Sequence, residues 1–124
     1  MNSRKILIFD DDATILEVLG IIFDEAGYEV KISETSHDIL EKVSAFRPDV
    51  ILMDNWIPDI GGVEATRLLK SSEEFSNVPV IYITANNDIA ALAEEAGADD
   101  YVAKPFDIDE LETKVAALTG QGGE

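Results

Sequence analysis

Four short apolar runs of the chain are each followed by polar side chains that could do chemistry. Those side chains are the acidic triplet Asp10-Asp11-Asp12, the carboxylate of Asp54, the hydroxyl of Thr84 and the ammonium of Lys104. Carboxylate oxygens are ligands that Mg²⁺ prefers. A lysine and a hydroxyl beside such a metal would bind the negative charge of a transferring phosphoryl group. These residue types indicate magnesium-dependent phosphoryl chemistry, provided that the fold brings the four segments together.

Crowded carboxylates need a compensating charge. At about 4 Å and an effective dielectric constant of about 20, each carboxylate pair costs roughly 4 kcal/mol. Protonation could relieve this repulsion, and so could a hard divalent cation. Mg²⁺ takes one or two carboxylates, keeps several waters and accepts phosphate oxygens as further ligands. The acidic residues therefore predict a Mg²⁺ site that is open to a phosphoryl group.

The apolar runs predict five strands. The runs are continuous rather than alternating, which is typical of parallel strands buried on both faces. Lys31 interrupts the second run, so we expect that strand near an edge of the sheet. The predicted strands are Ile6–Phe9, Val30–Ile32, Val50–Met53, Val80–Ile83 and Tyr101–Ala103.

Apolar residues at helical spacing follow each strand, and Gly27 and Gly97 are stop signals for the first and fourth helices. Such βα alternation indicates an α/β domain with a parallel sheet covered by helices on both faces. In these sheets, ligands bind at the carboxyl ends of the strands. The apolar residues at this spacing are Ile15, Leu19, Ile22 and Ala26; Ile39, Leu40 and Val43; Ala65, Leu68 and Leu69; Ile89, Leu92, Ala93 and Ala96; and Ile108, Leu111, Val115 and Leu118.

Four segments of the chain resemble the signature segments of the response-regulator receiver domain, in order and each after a predicted strand. They are ILIFDDD, VILMDNWIP, IYITA and GADDYVAKPF. The resemblance covers about residues 5–118. It implies a doubly wound (βα)5, flavodoxin-like three-layer sandwich with strand order 2-1-3-4-5. We expect the receiver domain at residues 1–119, and the glycine-rich composition of residues 120–124 predicts a flexible tail.

The resemblance assigns Asp54 as the phosphorylation site, which attacks a phosphohistidine on a partner. Asp10 and Asp11 correspond to the family's acidic pair, in which Asp11 would ligate Mg²⁺ directly and Asp10 mainly through water. Asp54 itself and the backbone carbonyl of Trp56 would complete the metal ligands. The chain would then be no enzyme in the usual sense, with only self-catalysed phosphoacceptance and slow autodephosphorylation.

The resemblance also implies the residues that respond to the phosphoryl group. Thr84 would donate a hydrogen bond to one phosphoryl oxygen, and Lys104 would pair with another, so that Asp54, Thr84 and Lys104 carry the transfer. Tyr101 would be the aromatic switch residue that turns inward when Thr84 moves. The peptide bond between Lys104 and Pro105 would be cis.

Two positions flank the path of a water that could attack the acyl phosphate. Trp56 and Asn86 stand two residues after the acceptor and two after the threonine. A bulky indole at this gate predicts slow loss of the phosphoryl group. The 20-residue interval from Thr84 to Lys104 is shorter than in common receivers, which indicates a trimmed fourth helix or preceding loop.

Composition restricts the possible partners. The 124 residues include 26 acidic and nine basic side chains, a net charge of −17, which argues against direct binding of nucleic acid or of an anionic membrane. The chain has no cysteine and a single histidine, which excludes thiolate and multi-histidine metal sites. We expect a cytoplasmic protein whose partners are a sensor histidine kinase or histidine phosphotransfer protein and an unknown downstream protein.

Three alternatives remain open. FDDDAT also resembles the first motif of haloacid-dehalogenase-type aspartyl phosphatases, with Asp10 as nucleophile, Asp12 as general acid and Thr14 following. A receiver-shaped interaction module that is never phosphorylated is the second. The third concerns the whole protein: a stand-alone receiver is favoured, but a fragment of a larger regulator or hybrid kinase also fits.

Overall fold

A computed structural model describes residues 4–85 and 87–119, within which strands and helices alternate. The predicted tail, 120–124, lies outside the described residues. None of the described helices is long and apolar enough to cross a membrane. The strands are β1 (Lys5–Phe9), β2 (Glu29–Ser33), β3 (Val50–Asp54), β4 (Val80–Thr84) and β5 (Asp100–Ala103), and the helices are α1 (Ala13–Glu25), α2 (Ile39–Phe46), α3 (Gly61–Ser71), α4 (Ile89–Ala96) and α5 (Ile108–Thr119).

The five strands form one parallel sheet in the order β2-β1-β3-β4-β5, which confirms the prediction. β3 and β4 are buried along their whole length, as their continuous apolar runs predict. β2 lies at one edge and is largely exposed, in agreement with its interrupting lysine. Since all strands run the same way, their carboxyl ends meet at one rim of the sheet.

Helices cover both faces of the sheet and give the expected three layers. α1 and α5 pack on one face through buried residues such as Leu16 and Leu111. α2, α3 and α4 pack on the other face through residues such as Val43, Leu69 and Ala93. The doubly wound, flavodoxin-like (βα)5 arrangement is therefore confirmed.

The buried face of α1 is rotated slightly from the apolar series Ile15, Leu19, Ile22 and Ala26. The helix buries Leu16, Leu19 and Phe23, whereas Ile15 is only partly buried and Ala26 is exposed. α1 carries apolar residues on both sides of this stripe, so spacing alone does not determine which of them faces the sheet. Ala26 follows the last helical residue as the C-cap, where the chain turns away at Gly27 (φ +98°).

Three other apolar residues of the predicted helices are exposed. They are Leu40, Leu68 and Ile108, with relative exposures of 36%, 38% and 43%. Leu40 and Leu68 each adjoin a buried residue, and a step of one residue turns a helical side chain by roughly 100°. Ile108 is the first residue of α5, one turn before the buried Leu111.

Candidate functional site

Three carboxylates from two neighbouring strands meet at the carboxyl rim of the sheet. Asp10 and Asp11 directly follow β1, and Asp54 is the last residue of β3, which pairs with β1. One carboxylate oxygen from each lies within 4.8 Å of the others. Asp10 and Asp54 are buried, whereas Asp11 is exposed at the mouth. The side chains of Asp10, Asp11 and Asp54 therefore lie close together, as the sequence predicted.

Lys104 reaches this cluster from the segment after β5. Its Nζ lies 2.8 Å from Oδ2 of Asp10 and 3.0 Å from Oδ1 of Asp54. Its backbone N–H donates to the carbonyl oxygen of Thr84 at 2.9 Å, which ties it to the end of β4. The peptide bond to Pro105 is cis, as predicted. A single ammonium thus serves as counter-ion to two buried carboxylates.

Backbone N–H groups orient the carboxylates. The N–H of Asp12 donates to Oδ1 of Asp10 at 2.9 Å, and the N–H of Trp56 donates to Oδ2 of Asp54 at 3.1 Å. Each donor stands two residues after its acceptor, so the loops that follow the strands hold the side chains in place. Both oxygens of Asp54 are engaged, one by Lys104 and the other by this N–H.

Burial controls the ionisation of the site. Burial, together with the nearby charge of Asp10, raises the pKa of Asp54 even though Lys104 acts in the opposite direction. Burial alone would lower the pKa of Lys104, but hydrogen bonds to Asp10 and Asp54 outweigh it and raise that pKa. The lysine therefore stays charged at neutral pH, while ionised Asp54 is less favoured than an ordinary carboxylate.

The donor set suits a hard divalent cation. When all three carboxylates are ionised they face one ammonium, and the excess negative charge remains in a partly buried pocket. The donors are all oxygen atoms, as Mg²⁺ prefers, and the exposed Asp11 leaves room for its waters. The residues present therefore fit magnesium.

Of the remaining predicted residues, Thr84 and Trp56 adjoin strand β3 or the loop after it, Tyr101 lies on the edge strand β5, and one is not described. Thr84 is fully buried at the end of β4, next to β3. The side chain of Trp56 is 69% exposed beside the acceptor, and Tyr101 is 40% exposed on β5. Asn86, the second predicted gate residue, lies outside the described residues. Their assignments to switch and gate stay predictions.

Sequence reasoning missed Gly62, near the start of α3. A Cβ at this position would press against the carbonyl oxygen of Asp54 and lie 2.9 Å from Cα of Asn55. The N–H of Gly62 donates to the carbonyl oxygen of Asn55 at 3.0 Å, which holds α3 against the end of β3. The Gly-Gly pair that follows the second signature segment, VILMDNWIP, was the available signal.

Asp12 has a structural role that argues against the phosphatase alternative. Its carboxylate accepts from the N–H groups of Thr14 and Ile15, at 2.9 and 3.3 Å, and so caps α1. A general acid would instead have to face the nucleophile. Asp54, which the phosphatase reading leaves without a role, shares Lys104 with Asp10.

Comparisons with known proteins agree with this geometry. The CAI-1 autoinducer sensor kinase/phosphatase CqsS of Vibrio cholerae is 38% identical over 119 residues, which is 94% of this chain and 17% of that protein. The DNA-binding response regulator MtrA of Mycobacterium tuberculosis is 35% identical over 116 residues, 92% of this chain and 50% of that protein. The chain thus spans half or less of the length of these curated relatives.

A solved structure gives the same result. The receiver domain of a sensor histidine kinase from Pseudomonas aeruginosa, which has a magnesium ion coordinated in its active-site cleft, superposes with a TM-score of 0.87. It is 30% identical, and the match covers 96% of this chain and 99% of that one. The sequence profile described as "Response regulator receiver domain" matches residues 6–116. With the strand order and the acidic cluster, these matches show that the chain belongs to the response regulator receiver domain family.

Proposed function

We propose that this chain accepts a phosphoryl group from a phosphohistidine onto Asp54, in the cytoplasm, and then changes its affinity for a partner protein. The observation that carries the proposal is the buried carboxylate of Asp54, held by Lys104 Nζ at 3.0 Å and by the N–H of Trp56 at 3.1 Å. Asp10 and Asp11 stand close enough to share a cation with it. The reaction is self-catalysed phosphoacceptance rather than turnover of a substrate.

Magnesium is the proposed cofactor. The residues that would hold it are Asp10, Asp11 and Asp54, with the backbone carbonyl of Trp56 as a further oxygen ligand. When bound, the ion neutralises charge on the transferring phosphoryl group. This proposal is supported by the all-oxygen donor set and by the magnesium-containing receiver of the P. aeruginosa kinase.

In the transfer step an oxygen of Asp54 attacks the phosphorus of the phosphohistidine. An O–P bond forms while the N–P bond breaks, and the imidazole leaves with the electron pair and takes up a proton. Lys104 then pairs with a phosphoryl oxygen instead of the free carboxylate. The hydroxyl of Thr84, at the end of the adjacent strand, donates to another phosphoryl oxygen. Alignment and charge stabilisation therefore supply most of the catalysis.

The new charge is the proposed trigger of the switch. An acyl phosphate carries about −1.5 to −2 charges and replaces the single charge of the Asp54 carboxylate, beside the remaining carboxylates of Asp10 and Asp11. Movement of Thr84 toward it would free space for Tyr101, whose ring is partly exposed in this structure. Lys114 holds that ring outward, since its Nζ lies 5.4 Å from the ring centroid and donates to the carbonyl oxygen of Tyr101 at 2.7 Å.

A protein is the proposed phosphodonor. An apolar cavity of about 450 Å³ opens beside Lys104 and is lined in part by Ile15, Pro105 and Phe106. With the exposed indole of Trp56, it offers an apolar contact next to an acidic pocket. We propose a sensor histidine kinase or a histidine phosphotransfer protein as donor and another protein as the downstream partner. The receiver itself, with a chain charge of −17, is not proposed to contact nucleic acid.

The direct test is phosphorylation by a small phosphodonor such as acetyl phosphate in the presence of Mg²⁺, followed by mapping of the modified side chain. We expect the label on Asp54, no label without the metal, and no label on a folded Asp54→Asn variant. Asp12→Asn is the matched control, because it removes a nearby carboxylate that only caps α1, and it should be labelled normally. Label on Asp10 would favour the phosphatase, and a folded wild type without label would favour an interaction module.

A further inference from the structure

Tyr82 is a fully buried tyrosine of β4 whose hydroxyl reaches the loop beside the proposed acceptor. Its relative exposure is 0%, and it is among the largest buried side chains of the described chain. The hydroxyl donates a hydrogen bond to Oδ1 of Asn55, the residue after Asp54. A buried phenol needs a hydrogen-bond partner, and here the site itself supplies one.

Asn55 is held from three directions. Its N–H donates to the carbonyl oxygen of Ile83 at 3.3 Å, its carbonyl oxygen accepts from the N–H of Gly62 at 3.0 Å, and its side chain accepts from Tyr82. The next residue, Trp56, supplies the N–H that holds Oδ2 of Asp54. The conformation of Asn55 therefore sets the direction of the peptide group that contacts the acceptor.

The other side of Tyr82 faces α4. Its ring belongs to the same buried cluster as Ile89, Ala93 and Ala96, and the small alanine side chains leave room for it between helix and sheet. Its register partner on β5 is Tyr101, so both rings leave the sheet on this face. Tyr82 thus contacts the loop after Asp54 through its hydroxyl and packs with its ring in the core beneath α4.

We propose that Tyr82 is a positioning residue that acts through Asn55. Its hydrogen bond fixes the loop between β3 and α3, so that the Trp56 N–H orients the carboxylate of Asp54 for binding the metal and the phosphoryl group. The proposal rests on the proposed function, since it concerns the same site. It identifies a contact between a side chain of β4 and a side chain of the loop after β3. A tyrosine that only fills the core would affect the stability of the fold and leave the metal affinity unchanged.

The test compares two tyrosine-to-phenylalanine variants. Tyr82→Phe removes the hydroxyl that reaches Asn55. Tyr28→Phe removes the hydroxyl of another buried tyrosine, which lies 3.5 Å from Oγ1 of Thr119 and belongs to the core on the opposite face of the sheet. The readouts are the Mg²⁺ dissociation constant, followed by fluorescence of Trp56, the single tryptophan, and the rate of labelling by acetyl phosphate. Urea unfolding measures the stability of each variant separately.

We expect Tyr82→Phe to weaken Mg²⁺ binding by about tenfold, the lower end of the effect of removing an outer partner of a metal site, and to slow labelling. Tyr28→Phe should match the wild type in both readouts. Asn55→Ala should cause the same loss as Tyr82→Phe, and the double variant should lose little more, because both changes break one contact.

A Tyr82→Phe variant with wild-type metal affinity and labelling rate overturns the inference, whatever its stability. Strictly additive losses in the double variant overturn it as well. Failure of the proposed function is recognised separately, because the folded wild type itself would then take no label.

Discussion

Lys104 Nζ lies 2.8 Å from Oδ2 of Asp10, a contact that joins the ends of β5 and β1 across 94 residues of sequence. The same ammonium lies 3.0 Å from Asp54. Its side chain is only 17% exposed, so solvent screens these pairs less than a surface salt bridge. Lys104 therefore acts as the counter-ion of the site when no metal is bound.

Lys104→Met should destabilise the metal-free protein. Removal of one partner leaves two buried carboxylates uncompensated, and we expect a loss of about 3 kcal/mol in the free energy of unfolding. Mg²⁺ should recover more stability in the variant than in the wild type, because it replaces the missing charge. Urea unfolding in EDTA and in Mg²⁺ measures both effects. Lys114→Met is the control. It breaks more exposed ion pairs with Asp100 and Glu110, so the free energy of unfolding should fall by less than about 1 kcal/mol. Equal losses of stability in the two variants would contradict the prediction.

The raised pKa of Asp54 makes stability depend on pH in a defined direction. A carboxyl group whose pKa is higher in the folded protein contributes stability below its unfolded value, 3.8, and loses that contribution as the pH rises through the folded value. In EDTA, Asp54→Asn should therefore be more stable than the wild type at pH 7, and the difference should shrink as the pH falls toward 4. Urea unfolding from pH 4 to 7 checks this, and a gap that widens toward low pH would oppose it.

Gly62→Ala should damage both fold and site. The added Cβ would collide with backbone of Asp54 and Asn55, so α3 must move away from β3, at a cost of about 1–3 kcal/mol. Mg²⁺ binding should weaken with it. Gly20→Ala is the matched control, because this helical glycine has open space where the Cβ would lie. The free energy of unfolding of this variant should rise by about 0.5–1 kcal/mol. Thermal unfolding distinguishes the two, and similar effects would refute the close-approach argument.

Thr66→Val should stabilise the protein. Among residues 4–85 and 87–119, Oγ1 of Thr66 is the buried side-chain polar atom without a hydrogen-bond partner. Valine has the same shape without the hydroxyl, so we expect a gain of about 1 kcal/mol in the free energy of unfolding. Thr66→Ser, which keeps the hydroxyl and removes a methyl group, should be less stable than the wild type. A loss of stability in Thr66→Val would show that the hydroxyl has an undetected role.

Trp56→Asn should shorten the lifetime of the acyl phosphate. The indole is 69% exposed next to Asp54, where it can cover the approach of an attacking water. Its replacement by a small polar side chain should speed loss of the label by about tenfold, equivalent to about 1.4 kcal/mol. Decay of phosphorylated protein after removal of the donor measures the rate, with Trp56→Phe as a control that keeps the bulk. An unchanged decay in Trp56→Asn would exclude shielding.

The sequence by itself determined the architecture and the set of reactive residues. Continuous apolar runs indicate parallel strands, and parallel strands end at one rim, so Asp10, Asp54, Thr84 and Lys104 were expected at that rim. The resemblance to receiver domains implied the strand order that brings them together. Local chemistry also identified Gly27 as a helix stop. These features depend on short-range patterns, which a single sequence displays directly.

Only the tertiary structure decided how those residues interact. Three features depend on distances between segments that are remote in sequence. One lysine pairs with two carboxylates, burial raises the pKa of Asp54, and Gly62 has no room for a side chain. The contact between Tyr82 and Asn55 depends on side-chain directions, and so does the choice of buried face in α1. Spacing limits such contacts to a few candidates, but packing selects among them because each side chain must fit all its neighbours at once.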